Sequence, residues 1–257
     1  MAASKKGTAE SVDILRVQEG TIAFCIVGRS PFVCNAMSAK VRQGLLSPGP
    51  KKGTTEKGAT LKHNPLEEYQ RSAYRSVGDA AETRIQFLAA GFKRAMANAA
   101  LEIPGTNKAQ IGRLCWAEGM YVPIYGIPQM WMSVTRSADM KRTPDIRTRA
   151  IISEWASRVT VRYVIPNLRE QPVINLMASA GVFIGVGDGR PEKGALSFGQ
   201  FEVVAEDDER YQRILKTGGR KAQDDAFENP TFYDVETEEL YEWWIADAKR
   251  RGFKIVA

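Results

Sequence analysis

The stretch GVGDGRPEKGALSFGQFEVV, residues 185–204, sets five glycines beside Arg190 and Lys193 and ends in an alternating apolar run. Glycines at this density let backbone N–H groups approach a phosphate with no side chain between, and Arg190 and Lys193 at the loop tip add charge. The dinucleotide fingerprint is not met. The register from Gly187 puts Glu192 where GxGxxG needs its third glycine, and a strand rather than a helix follows the loop. A GK[ST] sequence is absent, so a Walker loop is excluded. Two readings of the loop stand: a phosphate-binding hairpin shaped by Gly187, Gly194 and Gly199, or a bare turn between strands.

Candidate catalytic groups are few. His63 is the single histidine and lies in a lysine-rich segment. A metal pair or a Ser-His-Asp arrangement would rest on it alone. Its readings are an exposed side chain or the general base of an RNA-cutting site. Asp207-Asp208-Glu209 and Asp224-Asp225 offer carboxylates for metal, yet they fall in polar sequence where a solvated charge run is the simpler reading. The chain contains neither HExxH nor a nucleophile elbow. The expectation is a binding protein with no catalytic residues, no metal and no cofactor.

The charge distribution favours an anionic partner. Residues 1–114 carry 17 basic and 9 acidic side chains, residues 115–200 carry 10 and 7, and residues 201–257 carry 9 and 14. A basic body and an acidic tail follow, which suits a polyanion on the body and a protein or self-contact for the tail. Cys25, Cys34 and Cys115 form no CxxC pair, and Cys25 and Cys34 sit in apolar sequence, as buried free thiols of a reducing compartment do. The N-terminal MAASKKGTAES lacks a signal-peptide core, and no apolar run has the length of a membrane span. A cytoplasmic location is expected, that of the host cell if the chain is phage-encoded, with no membrane partner.

The elements that position these residues are read from periodicity. VDILRV and TIAFCIV, split by a QEG turn, are strands, the second buried on both faces. Residues 35–44 begin a helix, and 65–75 form a short helix opened by Pro65. In 82–101, Ile85, Leu88, Phe92, Met96 and Ala99 trace one helical face. MYVPIY and QMWMSVT are extended. RSADMKRTPDIRTR (136–149) is a basic connection, with five basic and two acidic side chains. RVTVRYVI alternates as a strand. A helix with the stripe Val173, Leu176, Met177 and Ala180 follows, capped by Gly181, and then a short VFIGV strand leads into the glycine loop. Near the C-terminus, Leu240, Trp243, Trp244 and Ala248 form the packing face of a final helix.

Helix, short strand and GVGDGRPEKGALSFGQFEVV together resemble the glycine-rich loop region of the repeat-associated RAMP proteins. These are the RNA-binding backbone and processing subunits of CRISPR effector complexes. Gly185, Gly187, Arg190, Gly194 and Gly199 carry the resemblance. SPFVCNAMSAKV also resembles the start of small bacteriophage proteins. The RAMP resemblance implies a ferredoxin-like core, nucleic-acid binding along sheet and loops, and side-by-side assembly on one strand.

The expected organisation is an α+β fold with a ferredoxin-like or RNA-recognition-like core. A disordered N-terminus covers 1–11, the core covers 12–205 with a long basic insertion at 47–65, and an acidic tail with a C-terminal helix covers 206–257. The expected function is non-catalytic binding of single-stranded DNA or RNA, cooperatively or as a homo-oligomer. The alternatives are a phage protein that anneals strands, a structural subunit, or an endoribonuclease using His63. The contacts assigned to nucleic acid are Lys40 and Arg42 before the insertion, and Lys51 and Lys52 within it. Arg136, Lys141, Arg142, Arg147 and Arg149 come from the basic connection. Gly187, Arg190, Lys193 and Gly194 come from the loop.

Overall fold

The central strand β1 (Gln18–Gly28) shows why the sequence builds a layered core. Phe24 and Ile26 face one side, Cys25 and Val27 the other, and all four are buried. A strand buried on both faces needs cover on both. In the computed structural model, which describes residues 16–47, 61–78, 80–136, 143–193 and 196–253, helices supply that cover. The N-terminus 1–11 and the first four residues of VDILRV lie outside the described residues, as does most of the insertion. The QEG turn expected at residues 18–20 is instead part of β1. Gln18, Glu19 and Gly20 pair with Ile165, Val164 and Tyr163 of β9 (Ala156–Ile165), and this ladder satisfies their backbone groups.

Before β9 the chain forms β2 (Phe32–Val33), α1 (Ala39–Leu46), α2 (Pro65–Arg71), β3 (Tyr74–Arg75) and β4 (Ile85–Leu88). It continues through α3 (Ala89–Ala99), α4 (Lys108–Leu114), β5 (Cys115–Ala117), β6 (Tyr121–Tyr125), β7 (Pro128–Arg136) and β8 (Pro144–Ile152). After β9 come α5 (Glu170–Ser179), β10 (Phe201–Val204), α6 (Glu209–Thr217), α7 (Arg220–Glu228) and α8 (Val235–Arg250).

Within this series β1, α3, β5/β6, β9, α5 and β10 run strand-helix-strand-strand-helix-strand. β10 pairs with β1, β1 with β9, and β9 with both β5 and β6, every pair antiparallel. That interleaved order is the ferredoxin-like arrangement. Phe92 and Met96 of α3 share one core with Val173, Leu176 and Met177 of α5 and with Phe24, Ile26, Val159 and Val161 of the sheet. β4 and β3 extend the sheet beyond β6. Between β6 and β9 the chain makes the β7–β8 hairpin, which joins β2 in a second sheet of order β2-β8-β7.

Several expectations change. The helix read over 82–101 begins only at Ala89, because Ile85 and Phe87 bury one face of a strand paired with β6. The backbone N–H groups of Arg84 and Ile85 donate to the Gln223 Oε1 atom at 2.8 and 2.9 Å. A four-residue apolar run fits either period, so tertiary pairing decides it. The short strand expected at VFIGV is a π-helical turn, Ala180–Ile184, that continues α5. Gly181 is therefore no left-handed cap. It lies inside the turn, where a Cβ would meet the Phe201 ring at 2.7 Å, and Gly185, with φ 71°, ends the helical path. The helix expected at 35–44 runs from Ala39 to Leu46, and the one read over 65–75 stops at Arg71. Residues 144–149 of the basic connection are strand β8.

The acidic segment after β10 packs onto the body. Tyr211 and Ile214 of α6 cover Cys25, Val27, Tyr125 and Ala156 on the second face of the sheet. Gln223 of α7 is buried, and its Nε2 atom donates to the carbonyls of Ile124 (2.8 Å) and Gly126 (3.0 Å). Of the two surfaces expected to cover Trp243, the body or a neighbouring subunit, the body does not cover it. It is 66% exposed, while Trp244 stacks on Tyr241 with ring centroids 5.9 Å apart. Cys25, Cys34 and Cys115 are buried free thiols. Among the described residues no helix is long and apolar enough to cross a membrane.

Candidate nucleic-acid interface

The β7–β8 hairpin pairs from Pro128↔Ile152 to Arg136↔Pro144. Strand alternation then sorts its charges. Asp145, Arg147 and Arg149 share one face, while Thr148 and Ala150 point inward and are buried. This alternation was hidden in the sequence because three successive positions on one face, Asp145, Arg147 and Arg149, are charged. The free edge of β8 is closed by α2, as the Ser72 hydroxyl accepts from the Ala150 N–H at 2.8 Å and Glu68 accepts from Thr148 at 3.4 Å.

The returning end of the insertion binds the same strand. The Lys62 ammonium lies 2.5 Å from the Asp145 carboxylate, and His63 Nε2 lies 3.0 Å from the same oxygen. His63 Nδ1 lies 2.8 Å from Glu68. Burial pushes the Asp145 carboxyl up, but the hydrogen bonds and charges of Lys62 and His63 outweigh it and hold the group below the usual aspartate value. His63 is thus no free side chain of a flexible loop. It is 24% exposed and held between two carboxylates. The Glu68 partner was visible five residues along the sequence, whereas Asp145 was not.

The outgoing end of the insertion starts from the same region. The Cys34 N–H donates to Ala150 of β8 (2.9 Å) and the Ala36 N–H to Ser72 (2.7 Å), and α1 follows directly. Arg42 on α1 and Arg147 on β8 are exposed. Lys40 and Arg136 occupy backbone positions in α1 and β7. Lys51, Lys52, Lys141, Arg142 and Gly194 lie outside the described residues.

Two of the assigned cations serve the fold. Arg149 is 16% exposed, with its guanidinium 3.0 Å from Asp188 of the glycine loop and 3.0 Å from the Cys34 carbonyl. Burial lowers its pKa while the Asp188 charge raises it. Arg190 is not at a loop tip. It is 18% exposed and donates to Glu192 (2.9 Å) and to the Gly187 carbonyl (3.0 Å). Lys193 is exposed, 3.8 Å from Glu192.

The glycine loop spends much of its backbone on itself. Val186 N–H donates to Gly199 O, Gly199 N–H to Pro31 O, and Asp188 N–H to Val33 O, at 2.8–3.0 Å. Gly187 and Gly199 hold φ of 83° and 68°, closed to most side chains. A Cβ at Gly187 would come 2.7 Å from the Val33 carbonyl. Gly187 thus packs closely against β2, and Gly199 against the backbone of Val186 within the loop. The loop also touches the hairpin through Trp131 and Phe198, whose rings lie 5.4 Å apart.

Two of the carboxylates weighed as metal ligands have other partners. Asp208 caps α6 through the N–H groups of Arg210 and Tyr211, and Asp224 binds Arg84. Among the described residues no group of three or more His, Cys, Asp or Glu side chains is arranged to hold a metal ion. Sequence reasoning missed an arginine cluster around Asp224, where Arg84 lies 2.5 Å and Arg220 3.5 Å away, and Arg75 stacks over Phe227 at 4.1 Å.

No family model matches the chain, and no curated protein matches it in sequence. Among solved structures, a chain of the cryo-EM structure of the Type III-B Cmr-beta bound to cognate target RNA is similar at 11% identity and a TM-score of 0.37. The match covers 73% of this chain and 59% of that one, so the chain spans about three fifths of its length. A likeness of that size assigns neither a family nor a function.

Proposed function

We propose that the protein binds single-stranded nucleic acid without cutting it, its phosphates meeting the end of the molecule where the basic insertion returns to the hairpin. The observation that carries this reading is the grip of Lys62 and His63 on Asp145, at 2.5 and 3.0 Å. It joins two basic segments that are 82 residues apart in sequence for the His63 contact, and exposed Arg147 stands two residues further along β8. Residues 1–114, with 17 basic and 9 acidic side chains, concentrate the positive charge that such binding needs. The position of His63 supports a structural role, because its two ring nitrogens lie 2.8 Å from Glu68 and 3.0 Å from Asp145 and tie the returning segment to α2 and β8.

Fluorescence polarisation with labelled single-stranded DNA, single-stranded RNA and duplex tests the reading. Phosphate contacts release counterions, so affinity is expected to fall by about 10³ between roughly 50 and 200 mM salt. Arg147→Ala is expected to weaken every single strand alike and to lower the salt slope by about one. Affinity that does not change with salt removes the nucleic-acid reading.

A further inference from the structure

α8 is covered on one side only. Thr237 and Ala248 are buried, and Trp244 stacks on Tyr241. On the other side Val235 and Trp243 are exposed, together with Glu236, Glu238, Glu239 and Glu242. Among the described residues none of these four carboxylates is paired with a cation. An exposed tryptophan inside a charged rim is the composition of a protein-binding surface, where aromatic residues are buried at the centre and polar ones ring them. The same acids repel the phosphates of a nucleic acid.

α1 presents the converse. Every residue from Val41 to Leu46 is exposed, Leu45 by 73% and Leu46 by 89%. A helix of eight residues is marginal in water without packing, and the apolar side chains of Val41, Leu45 and Leu46 have no cover among the described residues. Arg42 stands on the same side, one turn before Leu46. The surrounding sequence is opposite in charge to α8. Residues 39–60 hold five basic and one acidic side chain, and residues 234–247 hold six acidic and no basic ones. Topology keeps the two helices apart. In the sheet of order β2-β8-β7, α1 follows the β2 edge. The β7 edge takes the segment that leads into α8, where the Met130 N–H donates to Thr231 (2.8 Å) and the Tyr233 N–H to Met130 (2.9 Å). One copy can therefore offer both helices at once, each to a different neighbour. We propose that copies of this chain associate head to tail, the acidic face of α8 with Trp243 docking on the basic, leucine-bearing face of α1 of the next copy. Such a heterologous contact closes into a ring or extends as a filament. α1 is about 12 Å long. That is too short for the roughly 800 Å² per partner of a standard interface, so the association is weak and follows concentration. It does not rest on the nucleic-acid reading above.

Sedimentation equilibrium of protein freed of nucleic acid, from about 1 to 100 μM, tests the proposal. The parent is expected to exceed the monomer mass increasingly with concentration. Trp243→Ser disables α8 and leaves α1 intact, while Leu45→Ser with Leu46→Ser disables α1 and leaves α8 intact. These side chains are exposed, so both variants are expected to keep the parent's circular dichroism and melting. Each variant alone is expected to stay monomeric over the whole range. Mixed, the two are expected to form a species of two chains and none larger, because one productive contact remains between them. The proposal is overturned if the parent stays monomeric at the highest concentration, or if the mixture does. It is also overturned if either variant associates alone. Association of the Leu45 and Leu46 variant by itself would assign a symmetric contact between two α8 helices instead.

Discussion

Arg149 and Arg190 show that a basic side chain in a promising loop can spend its charge inward. Each guanidinium is mostly buried and satisfied by a carboxylate and a carbonyl. The partner of Arg190, Glu192, stands two residues away in the sequence, whereas Asp188 is remote from Arg149, and only the fold shows which charges pair. Asp224 gives the clearest test at this scale. It accepts from Arg84 Nε at 2.5 Å and Nη2 at 3.1 Å, with Arg220 3.5 Å away. The Arg84 hydrogen bond chiefly holds its carboxyl below the usual value, and burial opposes the shift. A lowered folded pKa means that the contribution is complete above the ordinary aspartate value of about 3.9 and vanishes as pH falls through the folded value. Asp224 is 37% exposed, so solvent screens the pair. Asp224→Asn is expected to cost about 1 kcal/mol at neutral pH. The gap to the parent in urea denaturation should begin to narrow below about pH 4 and close once pH has fallen through the lower folded value; a gap that does not narrow with falling pH would show that the contribution is not ionic.

At the scale of elements, the segments with one clean period were legible and the ambiguous ones were not. β9 alternates Val159, Val161 and Tyr163 against Arg158, Thr160 and Arg162, and α5 buries its stripe of Val173, Leu176 and Met177, both as the sequence implies. Ile85–Leu88 was misread because its apolar residues also continue the face of α3. β8 was misread because charge on one face imitates a loop. The π-helical turn at Ala180–Ile184 has no signature of period 2 or 3.6. The glycine loop was found by composition, but its two readings were separable only by geometry. If its glycines serve packing, their cost on substitution follows their neighbours. Gly199 has φ 68°, and a Cβ there would collide with the backbone of Val186. Gly189 has φ 64°, and a Cβ there would meet only the side chains of Phe198 and Leu196. Gly189→Ala is therefore expected to cost about 1–2 kcal/mol, the ordinary penalty of a left-handed residue, and Gly199→Ala distinctly more. Equal shifts of the urea midpoint for the two variants would show that the loop yields freely, as a cradle that moulds to a ligand would.

At the scale of the whole molecule, the charge asymmetry read from the sequence does not mark a detachable tail. Residues 201–257 carry 14 acidic and 9 basic side chains, and several of them are tied to the body. Arg213 of α6 forms two hydrogen bonds to Glu154 at 2.8 and 2.9 Å, and Arg210 binds Glu202 of β10 at 2.5 Å. Tyr211 and Ile214 are the cover for Cys25, Val27, Tyr125 and Ala156, and Gln223 alone satisfies two donors at the start of β4 and the carbonyls of Ile124 and Gly126. Cutting the chain after Ala205 would bare an apolar sheet face and leave those buried backbone groups unpaired, each at a cost of roughly 1–3 kcal/mol. Such a loss is comparable to the whole stability of an ordinary domain, about 5–15 kcal/mol. Residues 1–205 alone are therefore expected to lose the cooperative thermal transition of the full chain, followed by circular dichroism, and to expose apolar surface to a hydrophobic dye. The opposite result, a cooperative melt close to the parent's, would make 206–257 an appendage. The charge it carries would then act on partners and not on the fold.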